Sequence, residues 1–498
     1  MKPIYARYHF LAIFMNRYLW SVACVLFTAC PINAEHVVVR DAGEFNGALK
    51  KAQPGDVIVL SNGNWQDVEL VADANGTADS PVTVQAEVPG KVVLSGNSRL
   101  RVAGKYVLIS GLRFHQAWHK SAIVELRNDT RRLANDCVIR DSEFVDCNNP
   151  AGNKDEFKYL SVYGKRNTIM SCRFSGKKSG GATVVVWLDN DGGQHQIRNN
   201  HFGSRPELGR NGGETLRIGD SGSADQDADC IVQGNLFEQC NGEGEIVSNK
   251  SCGNVYQQNV FLRCSGALTL RHGHRCIVRQ NLFLGQKARG TGGVRVVGSD
   301  HIVVNNRFER LEGSDYRSAL VLMNGMADSP ANKYDPVQRA LIAHNTFADC
   351  KRTIVVGADN EEKRQIPPAD CRFINNAIFS RRGPMIDLQS SATGTQWLGN
   401  LWHGDGKLGV GSIDGVTRAT SDPMKRSGDR WRLTPKSPLI GAAAAADGLP
   451  EQDFSGRRRD SSPDVGCDEW PIETKAWMNE TRVGPSWDSV PLNPVDEG

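Results

Sequence analysis

The sequence carries little net charge and, beyond its N-terminal segment, no long apolar run. Its 498 residues include 59 Lys and Arg against 56 Asp and Glu, a formal net charge of +3 at pH 7. This near balance gives no indication of a nucleic acid partner. A membrane-spanning helix needs roughly 20 consecutive apolar residues. No later segment approaches that length, so we expect no stable membrane insertion. Cysteine and histidine also lack the spacings of a zinc site.

The sequence also shows little helical periodicity and instead contains a repeat of short predicted strands. The strands are rich in Val and Ile and end at a phenylalanine, as in 107–114, 230–237 and 276–283. The spacing of these phenylalanines falls to 22–25 residues between Phe237 and Phe308 and reaches 39 elsewhere. The repeat predicts an all-β, single-domain solenoid, a parallel β-helix whose coils stack Phe, Val and Ile inward. The series is Phe114, Phe144, Phe174, Phe202, Phe237, Phe261, Phe283, Phe308, Phe347 and Phe379.

A column of asparagines accompanies the phenylalanines. Asparagine tolerates the left-handed conformation of a tight turn, and its amide can bond to the neighbouring rung. We therefore expect one corner of each coil to be such a turn. Long intervals after Phe202 and Phe308 imply loops inserted at one corner. The column, two residues before Phe, consists of Asn200, Asn235, Asn259, Asn281, Asn306 and Asn345.

The two ends of the repeat carry different signals. Asp41 and Glu44 form a capping-box pattern before an apolar face, which predicts an N-terminal helix that covers the open end of the core. The face consists of Phe45, Ala48, Leu49 and Ala52. Beyond about Phe379 the repeat fades, and we expect 437–441 and 464–469 to form closing coils. The β-helix domain is predicted to span 35–470, with a tail of 471–498 along its outside.

The first residues predict export. Arg17 precedes a largely apolar run from Leu19 to Ala29, which is typical of a signal peptide cleaved after Ala34. Met15 is an alternative start. We expect a periplasmic or secreted protein; a lipoprotein anchored at Cys30 is the less favoured alternative, because Phe27 fits such a signal poorly.

The cysteines of the repeat also fall in columns. One column lies three residues after the repeated Phe and another seven residues before it. Such columns are typical of small buried side chains, and disulfides between rungs are the alternative in an oxidising compartment. The columns are Cys147, Cys240, Cys264 and Cys350, and Cys137, Cys230 and Cys276.

Polar residues follow the repeated phenylalanines at similar offsets on four successive coils. Two of them, Glu243 and Glu245, are two apart and would point the same way in a strand. Carboxylate and amide oxygens are ligands that Ca²⁺ prefers, whereas the ordinary alternative is a surface ion pair between these glutamates and Arg271. The cluster consists of Asn211, Glu243, Glu245, Lys250, Arg271 and Arg295, at offsets of nine, six, eight, thirteen, ten and twelve.

Two segments resemble polysaccharide lyase family 6, which contains alginate lyases and the dermatan sulfate lyase chondroitinase B. They are 243–251 (Glu-Gly-Glu-Ile-Val-Ser-Asn-Lys-Ser) and 270–273 (Leu-Arg-His-Gly), within a resemblance that covers roughly 36–400. The resemblance implies a right-handed β-helix, with Lys250 as Brønsted base and Arg271 as Brønsted acid. The Ca²⁺ ligands that it implies are Asn211, Glu243 and Glu245, with Glu214 as a further candidate. The implied substrate-binding residues are Arg295, His272 and Arg217.

The chemistry implied by this resemblance is coherent. Uronate lyases remove the C5 proton and expel the C4 oxygen, and Ca²⁺ on the carboxylate stabilises the enolate-like intermediate. A lysine can serve as the base when neighbouring cations or desolvation lower its pKa. Arginine normally stays protonated, so Arg271 could instead hydrogen-bond the leaving oxygen while water delivers the proton. His272 is either a proton shuttle or a structural hydrogen-bonding residue.

The pattern around Asn211 indicates the substrate. Residues 210–217 contain Asn-Gly-x-Glu-x-x-Arg, which resembles the alginate lyases, whereas chondroitinase B lacks a Glu at the position of Glu214. We therefore expect alginate, an anionic uronate polysaccharide, with the block preference and endo or exo action left open. The alternatives are a dermatan sulfate lyase and a non-catalytic carbohydrate-binding β-helix. A pectin-type hydrolase would need close Asp pairs instead.

Overall fold

Strands of three parallel sheets follow one another along the chain, so that each coil adds one rung to each sheet. The computed structural model describes residues 34–150, 152, 156–188, 193–330, 332–359, 363–427, 430–472 and 481–492. The predicted signal peptide up to residue 33, with Met15 and Cys30, lies outside the described residues. In the described part of the chain, no helix has the length and apolarity needed to span a membrane.

Sheets A and B contain fourteen strands each within the described residues. Sheet A consists of His36–Val39, Val57–Leu60, Val82–Ala86, Val107–Ser110, Val138–Arg140, Thr168–Met170, Gln196–Arg198, Ile231–Gln233, Val255–Gln257, Ile277–Arg279, Ile302–Val304, Leu341–Ala343, Arg372–Ile374 and Gln396–Leu398. Sheet B consists of Gly63–Gln66, Val92–Gly96, Leu112–Ala117, Glu143–Val145, Arg173–Ser175, His201–Phe202, Leu236–Glu238, Val260–Leu262, Leu282–Leu284, Arg307–Glu309, Thr346–Ala348, Ala377–Phe379, Asn400–His403 and Val416–Arg418.

Sheet C contains thirteen strands within the described residues. They are Glu69–Asn75, Arg99–Lys105, Ala122–Glu125, Ala134–Asn135, Lys158–Val162, Val184–Val186, Leu216–Ile218, Glu245–Lys250, Gly266–His272, Thr291–Val296, Leu320–Met323, Ile354–Ala358 and Ile386–Leu388. Two short hairpins follow outside the sheets, Met424–Ser427 with Arg430–Leu433 and Arg482–Val483 with Val490–Pro491. The predicted all-β fold, a right-handed parallel β-helix, is confirmed.

The repeated phenylalanines form one stack inside the solenoid. From Phe114 to Phe347 the consecutive rings lie 4.6–5.2 Å apart and nearly parallel. The prediction is wrong for Phe379, because Phe347 pairs in register with Ile378 instead. Phe379 therefore points out of the core and packs on Trp431, with ring centroids 4.5 Å apart.

The asparagine column is a hydrogen-bonded ladder. Each side-chain oxygen accepts from the backbone and amide N–H of the Asn one rung before, as Asn306 does from Asn281 at 3.0 Å in both contacts. The ladder continues beyond the predicted members to Asn376 and Asn400. The predicted left-handed conformation, however, belongs to the preceding residue, such as Gln280 with φ 55°. The amide thus bonds across rungs while its neighbour makes the turn.

The N-terminal helix forms as predicted but is shorter than its apolar face. It spans Ala42–Leu49, and the Asp41 carboxylate accepts from the backbone N–H of Glu44 at 2.8 Å. Glu44 in turn accepts from the N–H of Arg40 at 2.8 Å, one residue before the N-cap. The buried side chains of Phe45 and Leu49 join the main core. Three short 3₁₀ helices, Ser221–Ser223, Asp315–Arg317 and Ser486–Asp488, lie in loops.

The two segments expected to form closing coils lie outside the solenoid. Leu439 and Val465 pack with the outward-facing Phe379, and Cys467 donates its backbone N–H to the Thr346 hydroxyl at 2.9 Å. Residues 424–427, 430–472 and 481–492, which we name the strap, run back mainly over the outer face of sheet B, while Ala446 and Leu449 pack on sheet A. This happens because the outward positions of sheet B are apolar here: Leu236, Val260, Leu262, Leu282 and Leu284 pack with Phe454, Cys467, Val483 and Leu492.

The cysteine columns are part of the interior. All eleven cysteines of the described residues are buried free thiols. The Sγ of Cys264 accepts the backbone N–H of Cys240 at 3.4 Å, one rung away. Burial raises the pKa of the Cys172 thiol to about 12, so this thiol is a neutral packing group.

Candidate functional site

A cleft of about 650 Å³ lies along sheet C. It is lined by the ends of three successive strands and by loops inserted after Phe202, Phe308 and Met323. Seven of the residues expected for the site lie in its wall: Asn211, Glu214, Glu243, Glu245, Lys250, Arg271 and Arg295. Similar offsets from the phenylalanine column thus place these side chains on one face.

The strands beneath the cleft are irregular. The register of Glu245–Lys250 against Gly266–His272 shifts between Glu245 and Val247 and again between Asn249 and Lys250. Such bulges re-aim side chains and are common beside active sites. Glu243 lies in the turn before the strand rather than in it, which differs from the prediction. The turn still brings both carboxylates to the cleft.

Glu245 is already neutralised by cations. Arg295 forms an ion pair with its Oε1, and the Arg271 Nε lies 3.8 Å from the same oxygen. The Ser248 hydroxyl donates to Oε2 at 2.6 Å. Burial alone would raise the pKa of Glu245, but Arg295, the Ser248 hydrogen bond, Arg271 and Lys250 lower it below its ordinary value. Glu245 is therefore ionised in a buried position.

The other two acids lack such neutralisation. Burial, followed by the charges of Glu214 and Glu245, raises the pKa of Glu243 to about 7, although the backbone N–H groups of Gly212 and Gly213 oppose the shift. Glu214 is buried, and its Oε2 has no hydrogen-bond partner within the described residues. Neither carboxylate forms an ion pair within the described residues, although the charge of the buried Arg205 lies close enough to interact with both.

Arg271 is held between backbone and aromatic groups. Its Nη1 donates to the carbonyl of Lys333 at 2.7 Å, and its guanidinium lies 4.3 Å from the Tyr334 ring centre. Burial lowers the pKa of Arg271, and the charge of Arg295 acts in the same direction. Although burial would raise the pKa of Tyr334, the hydrogen bond from Arg364 and the nearby arginines lower it.

Two of the expected substrate-binding residues lie outside this wall. His272 is 3% exposed, with Nδ1 3.4 Å from Arg271 Nη1. Burial, then the charges of Arg271 and Lys250, lowers its pKa to about 4, so the ring is neutral at neutral pH. Arg217 lies one rung before Ser248 on sheet C, with its guanidinium 5.0 Å from the Trp187 ring centre.

Several cleft residues were not predicted from the sequence, and four of them, Tyr316, Arg317, Tyr334 and Arg364, are aromatic or cationic. Tyr316 and Arg317 come from a 3₁₀ turn, and a Cβ at Gly244 would lie 3.4 Å from the Tyr316 ring. The ring thus covers the turn between the two glutamates. The Arg364 guanidinium lies 4.0 Å from the centre of the Tyr334 ring. The usable signal was the long interval from Phe308 to Phe347, which contains the two loops that carry Tyr316 and Tyr334, on either side of the strand Leu320–Met323.

Comparison with known proteins agrees with this geometry. A sequence profile of the chondroitinase B family matches residues 39–381, more than half of the chain. The chain belongs to polysaccharide lyase family 6. Among curated protein sequences, none is similar enough to count as a match.

Solved structures of polysaccharide lyase family 6 are similar over most of the chain. The alginate lyase AlyGC shares 33% identity with a TM-score of 0.78, covering 87% of this chain and 58% of AlyGC. This chain therefore spans little more than half of that protein. A mannuronic acid specific family 6 lyase from human gut microbiota shares 28% identity with a TM-score of 0.70, covering 78% and 91% of the two chains. A family 6 lyase from Pseudopedobacter saltans shares 25% identity with a TM-score of 0.66, covering 74% and 93%.

The acidic corner of the cleft has donors of the kind that a calcium ion binds. Ca²⁺ prefers carboxylate and amide oxygens, and the Glu214 Oε2 is buried with no partner among the described residues. The mutual repulsion of Glu214, Glu243 and Glu245 would fall if a cation were bound. In the described ranges no three His, Cys, Asp or Glu side chains are already arranged as a metal site. These oxygen donors fit a calcium ion, and the Glu245 carboxylate would then interact with both the cation and Arg295.

Proposed function

We propose that this family 6 lyase cleaves alginate by β-elimination. The observation that carries the proposal is the joint position of Lys250, Arg271 and the glutamate pair in one cleft. The pattern around Asn211 and Glu214 supports alginate, as does the similarity to AlyGC, an alginate lyase. The family 6 lyase described as specific for mannuronic acid adds support for a uronate substrate.

Lys250 is the proposed base. Its amine takes the C5 proton, the C5 electrons form the C4–C5 double bond, and the bond from C4 to the leaving oxygen breaks. A positioned base contributes about 10²–10⁴-fold to such a step. Lys250 ends its strand beside the bulge and is half-buried at the cleft wall. The position suits a group that must reach a polymer in the cleft.

Arg271 is the proposed partner of the leaving oxygen. Its lowered pKa, caused first by burial, makes proton donation easier than for an ordinary arginine. The contacts with Lys333 and Tyr334 hold the guanidinium plane in place. Arg295 and the Tyr316 ring, which lies 5.5 Å from the Arg295 guanidinium, are proposed to bind uronate rings.

Asn211, Glu243 and Glu245, with Glu214, are the proposed calcium ligands. When bound, Ca²⁺ would neutralise the uronate carboxylate and so make the C5 proton more acidic. Asn211 is exposed on the loop that faces Glu243. The loop carries Glu214 as well, so both sides of the corner contribute oxygen ligands.

The decisive experiment follows the ultraviolet absorbance of the unsaturated product. The purified protein is given polyguluronate, polymannuronate, mixed alginate and dermatan sulfate. We expect absorbance to rise with at least one alginate substrate. Turnover of dermatan sulfate alone would reassign the chain to the chondroitinase B activity. Binding of alginate without absorbance would identify a non-catalytic carbohydrate-binding protein.

The metal requirement is tested separately. Exhaustive chelation should abolish the absorbance change, and Ca²⁺ should restore it better than Zn²⁺, because the proposed ligands are all oxygen atoms. Full activity in a protein shown to be free of metal would exclude the calcium proposal and leave the elimination itself intact.

A further inference from the structure

Two buried basic side chains, Arg205 and Lys177, lie beneath the acidic corner of the cleft. Burial, followed by the charge of Arg205, lowers the pKa of Lys177 to about 6, so its amine is mostly neutral at neutral pH. Arg205 is 3% exposed and Lys177 is 1% exposed. Burying a charge is costly unless hydrogen bonds or partners compensate for it. The contacts of both residues within the described chain are to neutral oxygen atoms, mostly backbone carbonyls.

Arg205 joins two loops that belong to neighbouring rungs. Its Nη1 donates to the Glu214 carbonyl at 2.6 Å and to the Thr183 hydroxyl at 3.1 Å. Its Nη2 donates to three carbonyls, those of Ser179 at 3.0 Å, Gly181 at 3.0 Å and Gly212 at 3.4 Å. The planar guanidinium serves all five acceptors at once, which a single ammonium cannot do.

The 210–214 loop also interacts with Glu243 on its other side. The backbone N–H groups of Gly212 and Gly213 hydrogen-bond the Glu243 carboxylate. Arg205 therefore holds the carbonyl side of this loop while Glu243 accepts from its amide side. Packing adds a third restraint, because a Cβ on Gly213 would lie 2.3 Å from the carbonyl oxygen of Gly242. Little freedom is left for the loop that carries Asn211 and Glu214.

Lys177 supports the earlier of the two loops. Its Nζ donates to the Ser179 carbonyl and hydroxyl, both at 2.9 Å, and to the Gly180 carbonyl at 2.8 Å. The Lys177 Nζ also lies 4.4 Å from the centre of the Phe157 ring. Ser179 thus receives hydrogen bonds from both basic side chains, and the two loops form one connected unit.

We propose that Arg205 is a positioning residue that fixes the 210–214 loop, so that Glu214 and the Gly212 and Gly213 amides face Glu243. The ligand served by this arrangement is a divalent cation of the calcium class, and in this respect the inference rests on the proposed function. Arg205 touches neither the cation nor the substrate. Its action passes through the backbone of the loop.

The test compares Arg205→Lys with an exposed control, Arg166→Lys, which alters the ion pair with Asp136 on another face. Calcium affinity is measured by calorimetry on the whole protein without substrate. Residues that orient metal ligands typically change affinity by about 10–100-fold. We expect a loss of that size for Arg205→Lys and none for the control.

A second measurement is independent of calcium. Amide hydrogen exchange at Gly212 and Gly213 should become about tenfold faster or more in metal-free Arg205→Lys, because the loop loses its hydrogen bonds. Exchange at Val247 in the core strand should not change. Thr183→Val removes one acceptor of Arg205 and should accelerate exchange at the same two glycines, but by less. This variant serves as the test if Arg205→Lys does not fold.

The outcomes separate the two proposals. Unchanged exchange at both glycines, or equal acceleration throughout sheet C, would overturn the positioning role. Unchanged calcium affinity in a variant with a loosened loop would overturn the link to the cation. A wild-type protein that shows the local exchange effect but binds no calcium would refute the calcium proposal and keep Arg205 as the residue that orders the loop.

Discussion

At the scale of single residues, the cleft acids differ in whether a cation already neutralises them. Glu245 has Arg295 and Arg271 beside it, whereas Glu243 has two backbone N–H groups and two like charges. Like charges held together cost free energy unless one is protonated or a cation binds. This imbalance supports the proposed Ca²⁺ position at Glu214 and Glu243, with Glu245 as the further ligand whose charge Arg295 already neutralises in part.

Lys250→Ala tests the proposed base. Activity should fall about 10²–10⁴-fold, because the variant has no amine to take the C5 proton. The melting temperature and calcium affinity should change little, since Lys250 is half-buried at the cleft wall and is not a proposed ligand. Near-normal turnover in a folded, calcium-loaded variant would assign the proton abstraction to another group, and His272→Ala would be the next variant to assay.

Arg271→Lys tests the leaving-group role. The ammonium cannot reproduce the planar contact with Tyr334 and the hydrogen bond to Lys333 together. We expect kcat to fall by roughly two orders of magnitude or more, as for the loss of one donor to a developing negative charge. Arg275→Lys, at an exposed ion pair with Asp227, is the matched control and should be unaffected.

Glu243 gives the metal-free protein a pH dependence. Its pKa is raised from 4.5 to about 7. Because its pKa is raised, Glu243 holds its proton more tightly in the folded state than in the unfolded state, so protonation of Glu243 stabilises the fold. This contribution is fully present below pH 4.5 and is lost as the pH rises through about 7. The melting temperature of the chelated protein should fall over this window. Glu243→Gln should remove that part of the fall, and an identical profile in the variant would contradict the assignment.

The sequence predicted these residues because a solenoid turns a constant offset into a common face. Asn211, Glu243, Lys250, Arg271 and Arg295 all meet in the cleft for this reason. The rule does not reach Tyr316 and Tyr334, which lie in two loops on either side of the strand Leu320–Met323. Arg217 and His272, which the resemblance implied rather than the offset, lie outside the cleft wall beside Trp187 and Arg271.

At the scale of the repeated element, the coils are coupled by ladders as well as by sheets. The Phe stack contributes apolar burial, and the Asn ladder satisfies buried polar groups at one corner. Sequence periodicity revealed both columns, because each recurs in every coil. It did not reveal which residue adopts the left-handed turn, since that position holds Gln, Asn, His or Gly without a common pattern.

Asn281→Ala tests the ladder. The Asn281 oxygen accepts from Asn259 at 3.0 and 2.9 Å, and its amide donates to the carbonyls of Tyr256 and Arg279. Each buried group left without a partner costs about 1–3 kcal/mol, so we expect a loss of stability of that order or larger in denaturant unfolding. Asn97→Ala, at an exposed position, is the control. Equal stability of the two variants would show that the ladder is not needed for stability.

At the scale of the whole molecule, the strap and the cleft lie on different sheets. The strap covers sheet B, whereas the cleft lies along sheet C. No repeat pattern marks the strap, so the sequence suggested closing coils where the chain in fact turns back. The apolar outward positions of sheet B, from Leu236 to Leu284, were the signal that this face is covered.

Arg307→Met tests whether the strap stabilises the solenoid without taking part in catalysis. Arg307 is buried and bonds Asp468 and the Trp431 carbonyl of the strap, as well as Glu309 of its own strand at 3.1 Å. Removing one partner of a buried ion pair costs about 3–5 kcal/mol, so the melting temperature should drop and proteolysis within 434–472 should accelerate. Arg339→Met, at the exposed pair with Asp300, should cost about 0–1 kcal/mol of stability.

Because the cleft lies on another sheet, kcat of the folded Arg307→Met variant should equal that of the wild type. A variant that keeps its strap but loses kcat would instead mean that sheet B and the cleft are mechanically coupled.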